Sequence, residues 1–360
     1  MTLVKRLQIS SFYCSIKVRI TIMATTIAFF DATTSEKTSF ERYFTGPKYK
    51  LHIFDKPIAE VPLYEYKDAD VVSVFTASNV DASTIASLPR LKFIAVRATG
   101  INNIDTKACQ KHRVAVSNVP AYGQTTVAEY AVLLMLMMAR KMPAVMGSVE
   151  SGQIDYRRLT GFTLQGKTLG IVGTGKIGMA VALIAKAMGM HIVAYDPYPN
   201  EAMEDKIGFS YVSLADLLKG ADIVSLHAPL MPATKYIINK KSLGLMKDSA
   251  ILINTSRGEL VKTIDLIEAL KNKLIAGAAL DVIEGERTLD ADIETNLLLG
   301  DKKTSFEIAE LDVLTKMNNV IISPHNAFNS HEALHIIRKT TAQNIHGFLS
   351  GNPQNLIKLS

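Results

Sequence analysis

The stretch LGIVGTGKIG (residues 169–178) sets three glycines, Gly173, Gly175 and Gly178, at G-x-G-x-x-G spacing between two patterned segments. Three glycines so spaced arise by chance in any glycine-containing loop, so the flanks decide the reading. The apolar run KTLGIV before them reads as a buried strand, and MAVALIAKAMGM after them carries apolar residues at helical spacing. A second run, HIVAY, ends at Asp196, about 20 residues beyond Gly178. Strand, turn, helix, strand and acid together match a dinucleotide-binding βαβ unit. Gly173 permits the tight turn, Gly175 lets backbone approach a pyrophosphate, and Gly178 lets helix and strand pack closely. Lys176 and Ile177 open the helix, whose N-terminus offers N–H groups and a positive dipole end to the phosphates. A carboxylate at Asp196 accepts the adenosine ribose hydroxyls and repels a 2′-phosphate, and no arginine follows in DPYPN, so the expected cofactor is NAD.

Bulk properties agree with a globular protein. The 360 residues suffice for two domains. With 48% hydrophobic and 21% charged residues, no run approaches the ~18 apolar residues of a membrane span; the longest, residues 131–139, reads as a buried helix. The net charge of +6 is concentrated in residues 1–22, where Lys5, Arg6, Lys17 and Arg19 stand without an acid. The remainder carries no basic, aromatic-interleaved stripe, so neither nucleic acid nor membrane is an expected partner. The extension at 1–25 reads as an organellar targeting segment or as sequence upstream of a start at Met23, with a cytoplasmic protein as the default expectation. Two cysteines, Cys14 and Cys109, form no disulfide framework, and no metal-ligand spacing occurs, so no metal is expected.

Strand and helix alternate along the whole chain. From Thr26, strand candidates TIAFFDA, KLHIFD, VVSVFT, KFIAVRATG and VAVSNVP leave room for helices such as 82–89 and 105–112. AYGQTTVAEYAVLLMLMMARKM then reads as one helix of about six turns. Beyond it come strand candidates 167–172, 191–195, 222–227, 249–254, 275–280 and 319–323, most separated by helices such as 177–188, 213–219 and 263–272. Residues 285–312 break the rhythm as a polar excursion with a short helix near 306–316. The pattern predicts an α/β protein of two Rossmann-like, doubly wound parallel-sheet domains with a cleft between them. The first would span residues 26–122, completed by the terminal segment 326–360, and the NAD-binding domain residues 123–325.

Ligands of open α/β sheets gather at the carboxyl ends of strands. Three consecutive candidate strands end in ILINTSRGELV, ALDVIEGE and SPHNAF, offering Arg257, the acids Asp281, Glu284 and Glu286, and His325. A guanidinium, a carboxylate and an imidazole are the groups needed to clamp a 2-oxo acid and deliver a proton to its oxygen. His227, at the end of SLHAPL, also lies at a strand end and is expected near the cofactor or in a structural role.

In these motifs the chain resembles the D-isomer-specific 2-hydroxyacid dehydrogenases, and among them most closely the D-lactate dehydrogenases, from about residue 26 to the C-terminus. The resemblance implies that Arg257 of NTSRG binds the substrate carboxylate and polarises the keto oxygen. It further implies that His325 of the PH motif is the acid/base, and that Glu286, five positions after Asp281, is its partner. Asp281 would contact the nicotinamide carboxamide, the alternative being that it caps the following turn, and Asn254 joins the cofactor residues. ATGINNID resembles the loop whose amides hold the substrate carboxylate, implicating Thr99 and Gly100, and NVPAY places Tyr122 at the substrate edge. The implied reaction is reduction of pyruvate to D-lactate by NADH in a homodimer paired through the apolar helix 127–139. Hydroxypyruvate or glyoxylate reduction, or NAD sensing in a corepressor, are the alternatives. Two departures bear on the substrate: Gly123-Gln124 stands where the family commonly has Ser-Pro, and residues 287–312 lack the acidic and aromatic wording of many D-lactate enzymes.

Overall fold

The computed structural model describes residues 24–285 and 302–359. The chain divides into two compact units, one formed by Met1–Val96, Ile101–Ser117 and Ala342–Ser360 and the other by Arg97–Gly100 and Asn118–Thr341. The division falls after Ser117 and within the last helix. It therefore differs from the expected limits at 122 and 325, because residues 97–100, 118–122 and 326–341 pack with the larger unit.

In the smaller unit β1 (Thr25–Phe29), β2 (Tyr49–Ile53), β3 (Val71–Val74), β4 (Phe93–Val96) and β5 (Ala115–Ser117) form a parallel sheet in the order β2-β1-β3-β4-β5. Three helices alternate with them: α1 (Thr34–Tyr43), α2 (Ala82–Ser87) and α3 (Thr106–His112). Each starts where a short polar side chain takes up a free helix N–H: Thr33 in a capping box with Glu36, then Asp81 and Asp105. Phe29 stacks on Phe40 at 4.1 Å, and Phe93 stacks at 4.3 Å on Phe348 near the end of the chain. The terminal residues finish this unit, with Leu356 bridging Ser117 and Ile357 N–H donating to Val116 O at 2.9 Å.

The larger unit holds seven parallel strands: β6 (Thr168–Val172), β7 (His191–Tyr195), β8 (Ser210–Tyr211), β9 (Ile223–Leu226), β10 (Ile251–Asn254), β11 (Gly277–Leu280) and β12 (Val320–Ile322). Their order is β12-β11-β10-β9-β6-β7-β8, so the sheet winds outward in both directions from β6 and β9. That reversal is the switch point at which such sheets hold ligands. β9, β10 and β11 are buried along their whole length, which is why they read as mainly apolar runs, with Ser225 and Asn254 as buried polar exceptions. The fold class and most strand limits agree with expectation to within two residues. β8, two residues long, escaped the sequence pattern.

α4 (Gln124–Ala139) and α6 (Lys176–Ala187) meet in the core, where Ala128, Ala131 and Met135 pack with Val181, Ala182 and Ala185. The expected six-turn helix is corrected: it stops at Ala139, Lys141 takes a left-handed φ of 51°, and α5 (Met142–Glu150) leaves at 62°. Pro143 sits in the first turn of α5, where a proline is tolerated, and it cannot continue the hydrogen-bond ladder of α4. Among the described residues no single helix is long and apolar enough to cross a membrane. Among the described residues the remaining α-helices of this unit are α7 (Glu201–Ile207), α8 (Leu214–Gly220), α9 (Lys240–Leu243), α10 (Thr263–Lys271), α11 (Lys302–Thr315) and the start of α12 (His331–Leu349).

Candidate active site

The glycines in the turn from β6 to α6 play three different physical parts. Gly173 has φ +96°, and a Cβ there would lie 2.7 Å from the backbone N of Ala228. A Cβ on Gly178 would stand 2.1 Å from the carbonyl oxygen of Gly173, so the helix could not seat on its strand. Around Gly175 a Cβ meets nothing within 4 Å: backbone faces open space at the head of α6. The N–H groups of Lys176 and Ile177 lie in the first turn, where an α-helix has no internal acceptor for them. An open, donor-rich cradle at the switch point suits a pyrophosphate.

Asp196 follows β7 and reaches back to that turn. Its Oδ2 accepts from Thr174 N–H at 2.8 Å and from the Thr174 hydroxyl at 3.0 Å, while Oδ1 accepts from Tyr198 N–H at 2.9 Å. The acid expected to read the ribose is thereby fixed beside the glycine turn.

The end of β10 is shaped by Asn254, which is fully buried. Its amide donates to Arg257 O at 2.9 Å and its Oδ1 accepts from Ser256 N–H at 3.1 Å. Asn254, expected among the cofactor residues, thus clasps the turn that presents Arg257. The guanidinium donates through Nη1 to Ser256 O, and a Cβ on Gly100 would lie 3.1 Å from Nη2. Gly100 therefore lets Arg257 and the 97–100 segment approach. Thr99 is held there by its hydroxyl, which donates to Val119 O at 3.0 Å, and by Asn118, whose amide donates to Thr99 O at 2.7 Å. Burial pushes the Tyr122 phenol above its ordinary pKa, with the Arg257 charge and hydrogen bonding with Thr99 opposing that shift. Thr99, Gly100, Tyr122 and Arg257 thus gather at one place, a cationic fork flanked by backbone and a neutral phenol.

His325 stands after β12 with φ +49°, an uncommon conformation for a residue with a Cβ. Asp281, at the end of β11 and only 1% exposed, holds it there. The Asp281 carboxylate accepts from Ser323 Oγ at 2.6 Å, Asn326 N–H at 2.8 Å and Ala327 N–H at 2.9 Å, while its carbonyl accepts from His325 N–H at 2.9 Å. Of the two readings of Asp281, capping of the following loop is the one its bonds express. Phe328 was not singled out in the sequence, although it stands three residues after His325. Its ring lies 6.3 Å from the His325 ring and 6.4 Å from that of Tyr122. It spans the distance between the imidazole and the arginine cluster.

The two glutamates of EGE part company. Glu284 accepts a very short hydrogen bond from the Tyr236 hydroxyl and a longer one, at 3.3 Å, from Thr263 N–H at the start of α10. Glu286 lies outside the described residues. His227 is bonded through Nε2 to Ser225 Oγ at 2.8 Å, and its Nδ1 is shut from solvent with no hydrogen-bond partner. Burial lowers its pKa to about 4, so it is neutral at pH 7, and its backbone abuts Gly173. Among the described residues no group of three His, Cys, Asp or Glu side chains could hold a metal ion.

Residues 132–327 match the model of the D-isomer specific 2-hydroxyacid dehydrogenase NAD-binding domain. A D-lactate dehydrogenase of Curvularia clavata is 38% identical over 86% of this chain and 87% of its own length. A glyoxylate reductase of Thermococcus litoralis is 36% identical over 86% of this chain and 90% of its own. The crystal structure of Aquifex aeolicus D-lactate dehydrogenase complexed with NAD and lactic acid superposes with TM-score 0.79 at 31% identity, covering 91% of this chain and 96% of that one.

Proposed function

We propose that this chain, which belongs to the D-isomer-specific 2-hydroxyacid dehydrogenases and uses NAD, reduces small 2-oxo acids, with pyruvate preferred and D-lactate as product. The observation that carries this reading is the convergence of Arg257, Gly100, Thr99 and Tyr122, with Phe328 linking them to His325. When bound, NADH supplies the hydride that the keto carbon receives. Gly173, Gly175, Lys176, Ile177, Gly178 and Asp196 would hold its pyrophosphate and adenosine ribose, and Asp281 and Asn254 would shape the nicotinamide side.

Arg257 presents a planar fork of donors, permanently charged, that pairs with a carboxylate in two parallel hydrogen bonds. Backbone amides at Thr99 and Gly100 complete the clamp. With the carboxylate fixed, the keto oxygen turns toward His325, which gives its proton to the oxygen that becomes the hydroxyl. In this reading Glu286 favours the imidazolium by its charge, so that a proton is on hand near neutrality. The Tyr122 phenol stays protonated as a neutral wall, because burial opposes its ionisation. Phe328 and Tyr122 leave an apolar edge suited to a short side chain such as methyl.

Glyoxylate or hydroxypyruvate is the second reading, favoured by the similarity to a glyoxylate reductase. The test is NADH oxidation against pyruvate, phenylpyruvate, 2-oxoisocaproate, glyoxylate and hydroxypyruvate, with the lactate formed assigned by chiral chromatography. Highest kcat/KM on pyruvate with D-lactate as product supports the proposal; highest kcat/KM on glyoxylate or hydroxypyruvate overturns the substrate assignment.

We further propose a homodimer paired through α4 and α5. Leu133 and Leu136 of α4 and Met146 and Val149 of α5 are exposed, and no residue of α5 is buried within the chain. Apolar side chains so arrayed are what a self-complementary interface covers. Light scattering that gives the mass of one chain at micromolar concentration would refute the pairing. Cys109 is a buried free thiol whose pKa burial raises to about 11.

A further inference from the structure

The carboxylate of Asp196 is the end of a longer chain of donors. Asn200 N–H donates to the Tyr211 hydroxyl at 3.1 Å, that hydroxyl donates to Thr174 Oγ1 at 2.9 Å, and Thr174 Oγ1 donates to Asp196 Oδ2 at 3.0 Å. Every hydroxyl in the series gives one proton and receives one, so the directions are mutually consistent. β8 exists to place this tyrosine: Tyr211 pairs with Ala194 of β7, and Val212 N–H continues the ladder to Ala194 O at 2.9 Å. Its ring packs edge-on against Phe209 at 5.1 Å. Both ends of the DPYPN turn are thereby secured, Asp196 through Tyr198 N–H and Asn200 through Tyr211.

We propose that Tyr211 is a positioning residue for cofactor selection, holding Asp196 through Thr174 in the orientation that accepts a ribose diol and rejects a 2′-phosphate. The proposal rests on Asp196 being the residue that reads the ribose. A carboxylate excludes a phosphate only if it cannot turn away from it, and a side chain with two rotatable bonds turns unless its oxygens are engaged. Thr174 engages Oδ2 twice, through N–H and hydroxyl, and Tyr211 fixes which way that hydroxyl points. In a chain of hydrogen bonds each donor polarises the next, so the tyrosine strengthens a bond it does not itself make.

Tyr211→Phe keeps the ring and deletes the proton that sets the Thr174 rotamer; Thr174→Val deletes the hydroxyl and keeps the backbone bond to Asp196. Loss of one such bond corresponds to about a 3- to 10-fold change. The measurements are Kd for NADH and NADPH by calorimetry, and kcat and KM with each cofactor. Both variants should lower the NADH preference over NADPH by about 3- to 10-fold, through Kd and KM, with kcat at saturating NADH unaltered. In an Asp196→Ala background, Tyr211→Phe should then change the ratio no further. If Asp196→Ala itself leaves the ratio at its wild-type value, the assignment of Asp196 to the ribose fails and the proposal falls with it. If Asp196→Ala relaxes the ratio while Tyr211→Phe leaves it untouched, or acts equally in both backgrounds, the relay alone is overturned.

Discussion

Replacing Asp281 by asparagine tests how the His325 loop is held. The side chain is 1% exposed and its two oxygens receive three hydrogen bonds, from Ser323 Oγ, Asn326 N–H and Ala327 N–H. Asparagine has one acceptor oxygen in place of two. If that oxygen takes the position of Oδ1, the new NH2 group faces Ala327 N–H, donor against donor; if it is flipped, Asn326 N–H is the one left unmatched. Either way one buried amide loses its acceptor, at a cost of about 1–3 kcal/mol. The His325 backbone meanwhile stands at φ +49°, which costs a residue with a Cβ about 1–2 kcal/mol. The two quantities are comparable, so the loop has reason to relax once the carboxylate is gone. A displacement of about 1 Å at a proton donor lowers turnover by roughly 100-fold. Urea denaturation should therefore report a loss of about 1–3 kcal/mol, and single-turnover NADH oxidation a slowed chemical step. Amide exchange should accelerate at Asn326 and Ala327. Wild-type protection of those amides together with a normal kcat and a raised KM for NADH would refute the clasp and leave Asp281 as a cofactor contact alone.

Other perturbations probe the remaining groups. Gly100→Ala would bring a Cβ to 3.1 Å from Arg257 Nη2; displacement of the fork should raise KM for pyruvate by about 10-fold, equivalent to ~1.4 kcal/mol, and leave the NADH Kd unchanged, whereas an unchanged pyruvate KM would separate Gly100 from the clamp. His227, with its pKa lowered to about 4 from 6.5, is stable buried only as the neutral ring, so its contribution is complete above pH 6.5 and is lost as pH falls toward 4. The full loss is about 3 kcal/mol, and His227→Gln should flatten urea midpoints across that window; superimposable wild-type and variant profiles would show that another group governs the acid limb. Glu286→Gln should move the alkaline limit of pyruvate reduction to lower pH by removing the charge that favours imidazolium. Glu284→Gln should leave that limit in place and lower stability by about 1 kcal/mol through the Tyr236 and Thr263 bonds; a shifted pH profile with Glu284→Gln alone would reassign the partner.

What could be read in the sequence follows the range of each physical constraint. The glycine turn was legible because its constraints are mostly local: Gly173 needs a positive φ, Gly178 would set a Cβ against the Gly173 carbonyl, and Gly175 leaves open space at the head of α6. The buried strands were legible because a strand covered on both faces is mainly apolar. β8 was not: Ser210–Tyr211 is too short to carry a period, and Tyr211 earns its place by reaching Thr174, whose partnership no local pattern announces. The end of α4 is set by Pro143, just beyond the expected helix, which cannot donate back to the Ala139 carbonyl.

The same distinction governs the two glutamates and the histidine. A strand end tells where a side chain begins, since the sheet fixes the last Cα; it does not tell which partner completes it. For Glu284 the partner is Tyr236, far back in the chain in a loop with a left-handed φ of 54°, and no spacing rule connects them. For His325 the local sequence SPHNAF gives the imidazole and its strand, yet the backbone conformation that aims it comes from Asp281 on the neighbouring strand. Counting residues from Asp281 selects Glu286 by analogy alone, while Glu284 is already engaged by a phenol and by an N–H at the start of α10. The pH profile of the Glu286 variant is then the decisive measurement, because loss of a carboxylate charge beside His325 would move the pH at which its proton is lost.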